Sequence, residues 1–279
     1  MKLQEKAVLI DLNVSMWTAW KYDKKVSDEV SNKHGVSSDV GRYNKATIDR
    51  KGIKPIQKVA NEARTFHYEN TLPWFDSGGR ILPTTNYFDY MNKMRTLKDN
   101  FDSTVLIFAK EYDGYVKQAK DRLRDMFNPN DYPVGDIGDR FRLQVQTLPV
   151  PSSKDFRVNI SADEIKKIRE EVEDRLKIVQ QEAVKDLWNR MYRVVNRMSE
   201  ILSSRTAKFK NSLIENIDEL IKLIPKLNLT NDPSLEVMRK EIEKNLTKYN
   251  PDDLRIDKKE RRKAAKSAQD IMDKMKDYM

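Results

Sequence analysis

The sequence predicts a mainly α protein with a minor β component: a long antiparallel helical hairpin with a small β-sheet at its base and additional helices. Three observations support this fold class. Charged residues make up 35% of the 279 residues, with only 8 Gly and 10 Pro, which is typical of long helices with solvated faces. Apolar residues recur at every third or fourth position over 84–127 and 161–203. A few short stretches instead alternate apolar and polar residues, as half-buried strands do.

The N-terminal segment predicts a strand followed by two helices. Residues 7–14 are mostly aliphatic and fit a short strand. Residues 15–33 carry Trp17, Trp20 and Tyr22 among lysines and are expected to form a helix. Residues 42–70 are expected to form the next helix, with a break near residues 52–55, where Gly52 and Pro55 lie.

An aromatic run follows at residues 66–90 and holds seven of the chain's aromatic residues. Even spacing of the 24 aromatic residues would place about two there. Pro73, Gly78, Gly79 and Pro83 interrupt the run, so one continuous helix is excluded. We therefore expect a structured loop that its own side chains hold together.

Two long amphipathic helices are predicted next, over 84–127 and 161–203. The second begins where Ser161 and Glu164 have the spacing of a capping box, which satisfies the first free amide groups of a helix. Its apolar seam is closer to an eleven-residue repeat than to a heptad, which favours a nearly straight partner within the same chain over a left-handed coiled-coil dimer. The 84–127 helix is the expected partner.

The sheet and the C-terminal helices complete the predicted fold. Residues 140–148 alternate Phe141, Leu143 and Val145 with polar residues, and 156–160 alternate likewise, so a three-stranded sheet with 7–14 is expected. Shorter helices are expected at 206–224, 233–248 and 258–277, separated by Pro225 and by proline-containing turns. The expected domains are therefore a helical hairpin domain at 1–204 and a C-terminal helical bundle at 205–279.

The residue types exclude several kinds of chemistry. The absence of cysteine excludes disulfides, thiolate metal sites and a cysteine nucleophile. His34 and His67 are the only histidines, and no phosphate-binding loop, G-x-G-x-x-G or G-x-S-x-G motif occurs. We therefore expect no enzyme, no cofactor and no metal. The first apolar run is interrupted at Asp11 and is too short for a signal peptide or a membrane span, which predicts a cytoplasmic protein without a membrane partner.

Aromatic and basic side chains supply the candidate binding residues. In the aromatic run Trp74, Phe75, Arg80 and Tyr87 fit a contact surface for a partner protein, because such surfaces are rich in Trp, Tyr and Arg. The net charge of +9 also permits binding to nucleic acid. The rings also fit stacking on single-stranded nucleic acid, but packing of the loop is favoured because buried aromatic residues are commoner than exposed ones, and the charges fit solvated helix faces. The candidate phosphate contacts are Arg64, Arg80, Arg140, Arg142, Arg261 and Arg262.

Three stretches carry a resemblance to a known family: LIDLNVSMWTAWKYDKKV at 9–26, VANEARTFHYENTLPW at 59–74 and LPTTNYFDYM at 82–91. Together with KDLW at 185–188 and NLTNDP at 228–233, they resemble an uncharacterised protein family of bacteriophage and prophage genomes. The resemblance extends along most of the chain but implies no activity and no catalytic residue. It implies a viral gene product that acts in the cytoplasm of the bacterial host.

The predicted function is therefore that of a non-enzymatic phage protein that binds another phage or host protein, as an adaptor, an assembly component or an inhibitor of a host system. An elongated helical hairpin offers much surface and little concave volume, which favours binding over small-molecule catalysis. The alternative is a DNA- or RNA-associated accessory protein of phage replication or recombination. A homo-oligomer is compatible with either hypothesis.

Overall fold

The structure, a computed structural model, describes residues 2–75, 78–152, 161–204 and 206–278. Within these residues α-helix dominates and the strands are short, which confirms the predicted class of a mainly α protein with a minor β component. The described helices all lack the length and apolar character that crossing a membrane would require.

The first half of the chain alternates helices with short strands. The predicted strand at 7–14 is present, and Gly114 does not interrupt the long helix that was expected at 84–127. The elements in chain order are α1 (Leu3–Lys6), β1 (Ala7–Ser15), β2 (Trp20–Tyr22), α2 (Lys24–His34), β3 (Asn44–Ala46), α3 (Arg50–Glu69), β4 (Leu72–Pro73), β5 (Arg80–Pro83) and α4 (Tyr87–Leu123).

The second half is almost entirely helical after one strand. The side-chain oxygen of Ser161 accepts a hydrogen bond from the Glu164 amide at 3.4 Å, so the predicted cap at the start of the second long helix is formed. The elements are β6 (Arg142–Pro149), α5 (Ala162–Ser203), α6 (Ser212–Leu227), α7 (Pro233–Leu246), α8 (Pro251–Ile256) and α9 (Lys258–Met275).

The strands form two small sheets. The larger sheet has the strand order β4-β5-β1-β6, and its β1 pairs with β5 in an antiparallel register that runs from Ala7 opposite Pro83 to Ile10 opposite Arg80. The other sheet is the antiparallel pair of β2 and β3. The strand predicted at 156–160 lies outside the described residues.

Two compact units make up the chain, and each is assembled from separated stretches. Unit 1 comprises residues 1–11, 68–90 and 146–279, and unit 2 comprises residues 12–67 and 91–145. This division differs from the expected boundary near residue 204, because α5 belongs to the same unit as α6 to α9.

The core of unit 1 explains why α5 belongs with the C-terminal helices. The partner expected for α5 was the helix at 84–127, but α5 packs most extensively against α9 and next against α6. The alanines Ala264 and Ala268 on α9 are fully buried, and such small residues let two helix backbones approach closely. The seam of α5 is buried from Val179 to Leu202, so the predicted seam is real but its predicted partner is wrong.

The core of unit 2 is rich in aromatic rings. Phe108 stacks on Tyr115 with ring centroids 5.6 Å apart and meets Phe141 edge-on at 5.5 Å. The Trp17 ring contacts Tyr112 edge-on at 5.8 Å. Burial raises the pKa of Tyr112 to about 12. These contacts place Trp17 in a packed cluster rather than on the helix that was predicted for 15–33.

That predicted helix is wrong in its first half. Trp20 and Tyr22 lie on β2, and α2 begins only after Asp23, whose carboxylate accepts a hydrogen bond from the Val26 amide. An Asp in this position satisfies a free amide at the start of a helix and so fixes where the helix begins. The alternate spacing of the two rings was a strand signal that the helix prediction overlooked.

The sequence analysis also overestimated how strongly two prolines interrupt helices. Pro55 lies inside α3, and Pro225 lies inside α6, where a separator between helices was expected. Each is close to an end of its helix, so only one backbone hydrogen bond is lost and the helix continues.

Candidate partner-binding surface

The aromatic run is organised by a short hairpin in unit 1. Strand β4 pairs with β5, so that Leu72 lies opposite Ile81 and Pro73 opposite Arg80. Leu72 and Ile81 are both completely buried and belong to the core of the unit. The expected loop therefore contains two strands, which this buried pair anchors to the core of the unit.

Two arginines connect the end of α3 to the hairpin. The Arg80 guanidinium donates hydrogen bonds to the side-chain oxygen of Thr71 at 2.6 Å and to the Thr71 carbonyl at 3.1 Å. Arg190 on α5 donates to the same carbonyl at 2.6 Å and to the carbonyls of Tyr68 and Glu69. These carbonyls belong to the last turn of α3 and the residues after it, where helical partners are missing, so Arg190 caps the helix.

Charge and burial act on Arg80 together. Its pKa is lowered from the usual value, first by burial and then by the neighbouring Arg190. An ion pair between Arg190 and Asp186 at 2.7 Å compensates part of this positive charge. Arg80 is thus a fixed structural side chain, and only part of its surface is exposed to a binding partner.

Exposed rings lie beside these arginines. The Tyr68 side chain is 58% exposed, and the Arg80 guanidinium lies 5.0 Å from its ring centroid. Phe75 is 37% exposed, and Arg175 on α5 lies 6.0 Å from its ring centroid. Both distances are within the range of cation–π attraction. We call Tyr68, Phe75, Arg80 and Arg175 the aromatic–arginine surface.

Trp74 and Phe75 have different roles although they are adjacent. Trp74 is half-buried and packs against the hydrophobic core of unit 1. Phe75 has a backbone φ of +42°, in the left-handed region that a residue with a bulky side chain rarely adopts. Its ring meets the Trp74 ring at a centroid distance of 4.8 Å and an angle of 66°. Trp74 therefore anchors the hairpin, while the strained backbone directs the Phe75 ring away from the core.

Tyr87, the remaining predicted contact, begins α4. Its side chain is half-buried and meets the ring of Phe88 edge-on at 5.6 Å. Phe88 is 76% exposed, more than any residue predicted for partner binding. The structure therefore keeps Tyr87 in a mainly packing position and presents its neighbour to solvent.

The six arginines predicted for nucleic acid are divided between the two units. Arg64, Arg140 and Arg142 belong to unit 2, and Arg80, Arg261 and Arg262 belong to unit 1. Arg140, Arg142 and Arg262 are exposed, whereas Arg64 donates to Asn61 at 3.1 Å and to the Val14 carbonyl at 3.5 Å.

Arg261 has a structural position instead. Its guanidinium donates to the carbonyls of Ile201, Leu202, Ser204 and Ala207 at 2.7 to 3.1 Å. It thereby satisfies carbonyls at the end of α5 and in the segment that follows, which leaves few donors for a phosphate.

Two surface depressions of the described chain are lined by residues that form no recognisable catalytic set. One of about 290 Å³ lies along α4 and is lined by Lys110, Glu111, Gly114, Tyr115 and Gln118. Another, of about 390 Å³, is lined by residues from 248–260. Among the described residues, no group of three or more histidines or carboxylates is arranged to hold a metal ion.

No protein-family model, curated protein or solved structure matches the chain.

Sequence reasoning missed three residues of this region. Arg175 and Arg190 lie on α5, about a hundred positions beyond the aromatic run, and the repeat of that helix gives no sign that they reach the hairpin. Tyr68 belonged to the aromatic run but was not selected. Its position in the last turn of α3, next to interrupting residues, was the available signal.

Proposed function

We propose that this protein acts by binding another protein through the aromatic–arginine surface of unit 1. The observation that supports this proposal is that Tyr68 and Phe75 are exposed while a guanidinium lies beside each ring. Aromatic and arginine side chains dominate the binding energy of protein interfaces.

The rigidity of the surface supports this role. Arg80 is fixed by its hydrogen bond to Thr71, and strands β4 and β5 are held in the core by the buried pair Leu72 and Ile81. A surface that is ordered before binding loses less conformational entropy when the partner arrives. The geometry therefore fits recognition of a folded or extended protein segment better than enclosure of a small molecule.

The resemblance to phage proteins adds an expectation about the partner. A phage protein in a bacterial cell meets two sets of proteins, those of the phage and those of the host. We propose a partner from either set, with a role as an adaptor, an assembly component or an inhibitor. Phosphate binding through the six predicted arginines receives less support, because Arg80 and Arg261 donate to groups of the protein itself.

Phe75 offers a variant that separates binding from folding. Changing Phe75→Gly removes the ring contacts, worth about 0.5–1.5 kcal/mol with Trp74 and about 0.5–1 kcal/mol with Arg175. It also relieves the left-handed strain, worth roughly 1–2 kcal/mol. The lost burial of a ring that is only 37% exposed adds roughly 1–2 kcal/mol to the loss, so the variant should be less stable by about 1–2 kcal/mol and should still fold.

The test is site-specific photo-crosslinking in bacterial cells, with and without phage infection. A benzophenone amino acid replaces Phe75, and a matched control places it at the more exposed Phe88. We expect discrete protein adducts at position 75 that are absent at 88, and we expect the Phe75→Gly protein to lose co-purification of the same partner. Identical adducts at both positions, or none at 75, would contradict the proposal. Light scattering on the purified protein would show whether the partner is a second copy.

A further inference from the structure

The small sheet of β2 and β3 carries a second aromatic surface, in unit 2. Trp20 and Tyr22 are alternate residues of β2, so their side chains point to the same face. They are 46% and 43% exposed. Their cross-strand partners on β3 are the small residues Ala46 and Asn44, so no bulky cross-strand side chain lies beside either ring.

The opposite face of this sheet is anchored. Lys45, which lies between Asn44 and Ala46 on β3, is buried and forms ion pairs of 2.9 Å with both Asp23 and Asp131. The Lys45 ammonium also donates to the Met126 carbonyl at 2.6 Å. Because one face is fixed by buried charge pairs, the other face holds its rings in place.

Basic side chains surround the two rings. The Arg50 guanidinium lies 6.0 Å from the Trp20 ring centroid, and that of Arg42 lies 5.9 Å from the Tyr22 ring centroid. Both arginines are exposed. Residues 20–54 contain nine basic and five acidic residues, a net charge of +4, which is most of the net +5 of residues 1–67. The rings therefore lie in a part of the chain with a net positive charge.

From this arrangement we infer that the exposed face of β2 and β3 binds single-stranded nucleic acid. Successive bases would stack on Trp20 and Tyr22, while Arg42 and Arg50 would bind the phosphates on either side. Alternate residues of a strand are about 6.6–6.8 Å apart. This is about twice the 3.4 Å spacing of stacked bases, so each ring can serve its own base in an opened strand.

The geometry selects a single strand over a duplex. Stacking on a side chain requires a base whose face is free, and in a duplex both faces of an internal base are covered by its neighbours. Arginine suits both contacts, since its planar group stacks on rings and binds phosphate through paired donors. This surface uses none of the residues of the aromatic–arginine surface, so the inference stands or falls independently of the proposed protein-binding function.

The experiment is a fluorescence anisotropy titration of the full chain with labelled oligothymidylate and oligouridylate of roughly twelve nucleotides, a length within the range that one binding module covers. A duplex of the same length is the competitor. We expect Trp20→Ala to weaken binding to the preferred single strand about tenfold or more, and Trp20→Phe to retain affinity within about threefold, because a ring is kept. The oligonucleotide that binds with the higher affinity identifies the preferred nucleic acid as DNA or RNA.

The salt dependence tests the arginines separately. Between about 50 and 200 mM salt, the double variant Arg42→Gln, Arg50→Gln should reduce the slope of log K against log salt by about 1.4, since each phosphate contact on a single strand contributes about 0.7. Arg197→Gln and Phe88→Ala, at exposed positions of unit 1, are the matched controls and should change neither affinity nor slope.

Three results would overturn the inference. These are the absence of binding at the lowest salt, tighter binding of the duplex than of either single strand, and an equal loss of affinity for Trp20→Ala and Phe88→Ala. Circular dichroism of each variant confirms that the fold is retained, which is expected because the Trp20 ring is almost half exposed.

Discussion

Replacing Arg261 with methionine should destabilise unit 1 far more than its place in a charged C-terminal helix suggests. The guanidinium donates to four carbonyls, those of Ile201, Leu202, Ser204 and Ala207. Methionine has a similar length and apolar stem but no donor. The substitution therefore removes these hydrogen bonds while it leaves much of the packing in place.

The size of the effect follows from these bonds. A hydrogen bond to a charged group contributes about 1.5–3 kcal/mol. If water replaces the guanidinium at two of the four carbonyls, the other two bonds account for about 3 kcal/mol at the lower limit. The Phe209 ring, 5.5 Å from the guanidinium, adds about 0.5–1 kcal/mol. The expected loss of unfolding free energy is therefore about 3.5–4 kcal/mol.

Urea unfolding followed by circular dichroism measures this loss, and hydrogen exchange of residues 199–204 locates it at the end of α5. The neighbouring Arg262 is exposed, so Arg262→Met is the control and should change stability by less than about 0.5 kcal/mol. The reasoning is refuted if Arg261→Met unfolds within about 1 kcal/mol of this control, or if exchange accelerates elsewhere but not at the end of α5.

Two further predictions concern unit 2. Gly114→Ala should raise the unfolding free energy by about 0.5–1 kcal/mol, because an added Cβ meets no atom within 4 Å and alanine favours the helix. Gly52→Ala should lower it by about 1–3 kcal/mol, because the Cβ would lie 3.0 Å from the Tyr115 ring; equal melting temperatures of the two variants would contradict both expectations. The hydrogen bond from Lys45 lowers the pKa of Asp23 below its ordinary value of 3.8, so its contribution to stability is present above about pH 4 and is lost as the pH falls through the lowered pKa. Asp23→Asn, which retains the helix cap, should reduce this acid dependence in urea titrations between about pH 2 and 6; an unchanged pH profile would show that the ion pair contributes nothing measurable.

Local signals in the sequence were sufficient for much of the fold. The aliphatic run at 7–14, the strand at 140–148 and the capped start of α5 depend on residues within a few positions of one another, and all three were predicted correctly. The amphipathic pattern likewise placed α4 and α5.

Features that depend on contacts between distant residues could not be predicted from the sequence. The seam of α5 indicates that it has an apolar partner, but many helices have a suitable face, so α9 could not be distinguished from the helix at 84–127. The candidate site shows the same limit, since the guanidinium beside Phe75 comes from Arg175. The helix predicted over β2 was a different kind of error. The alternate spacing of its exposed rings was visible in the sequence, but the surrounding lysines favoured a helix.

The interleaving of the two units has a consequence for synthesis on the ribosome. All stretches of unit 2 have been translated once residue 145 is added, whereas unit 1 draws most of its residues from 146–279. Unit 2 can therefore fold first, while residues 1–11 and 68–90 wait for helices that have not yet been made. During that interval the buried side chains Leu72 and Ile81 are without their final core, which makes the nascent chain a natural client for chaperones. For the same reason, a single cut after residue 145 would keep all of unit 2 in one fragment but would divide unit 1.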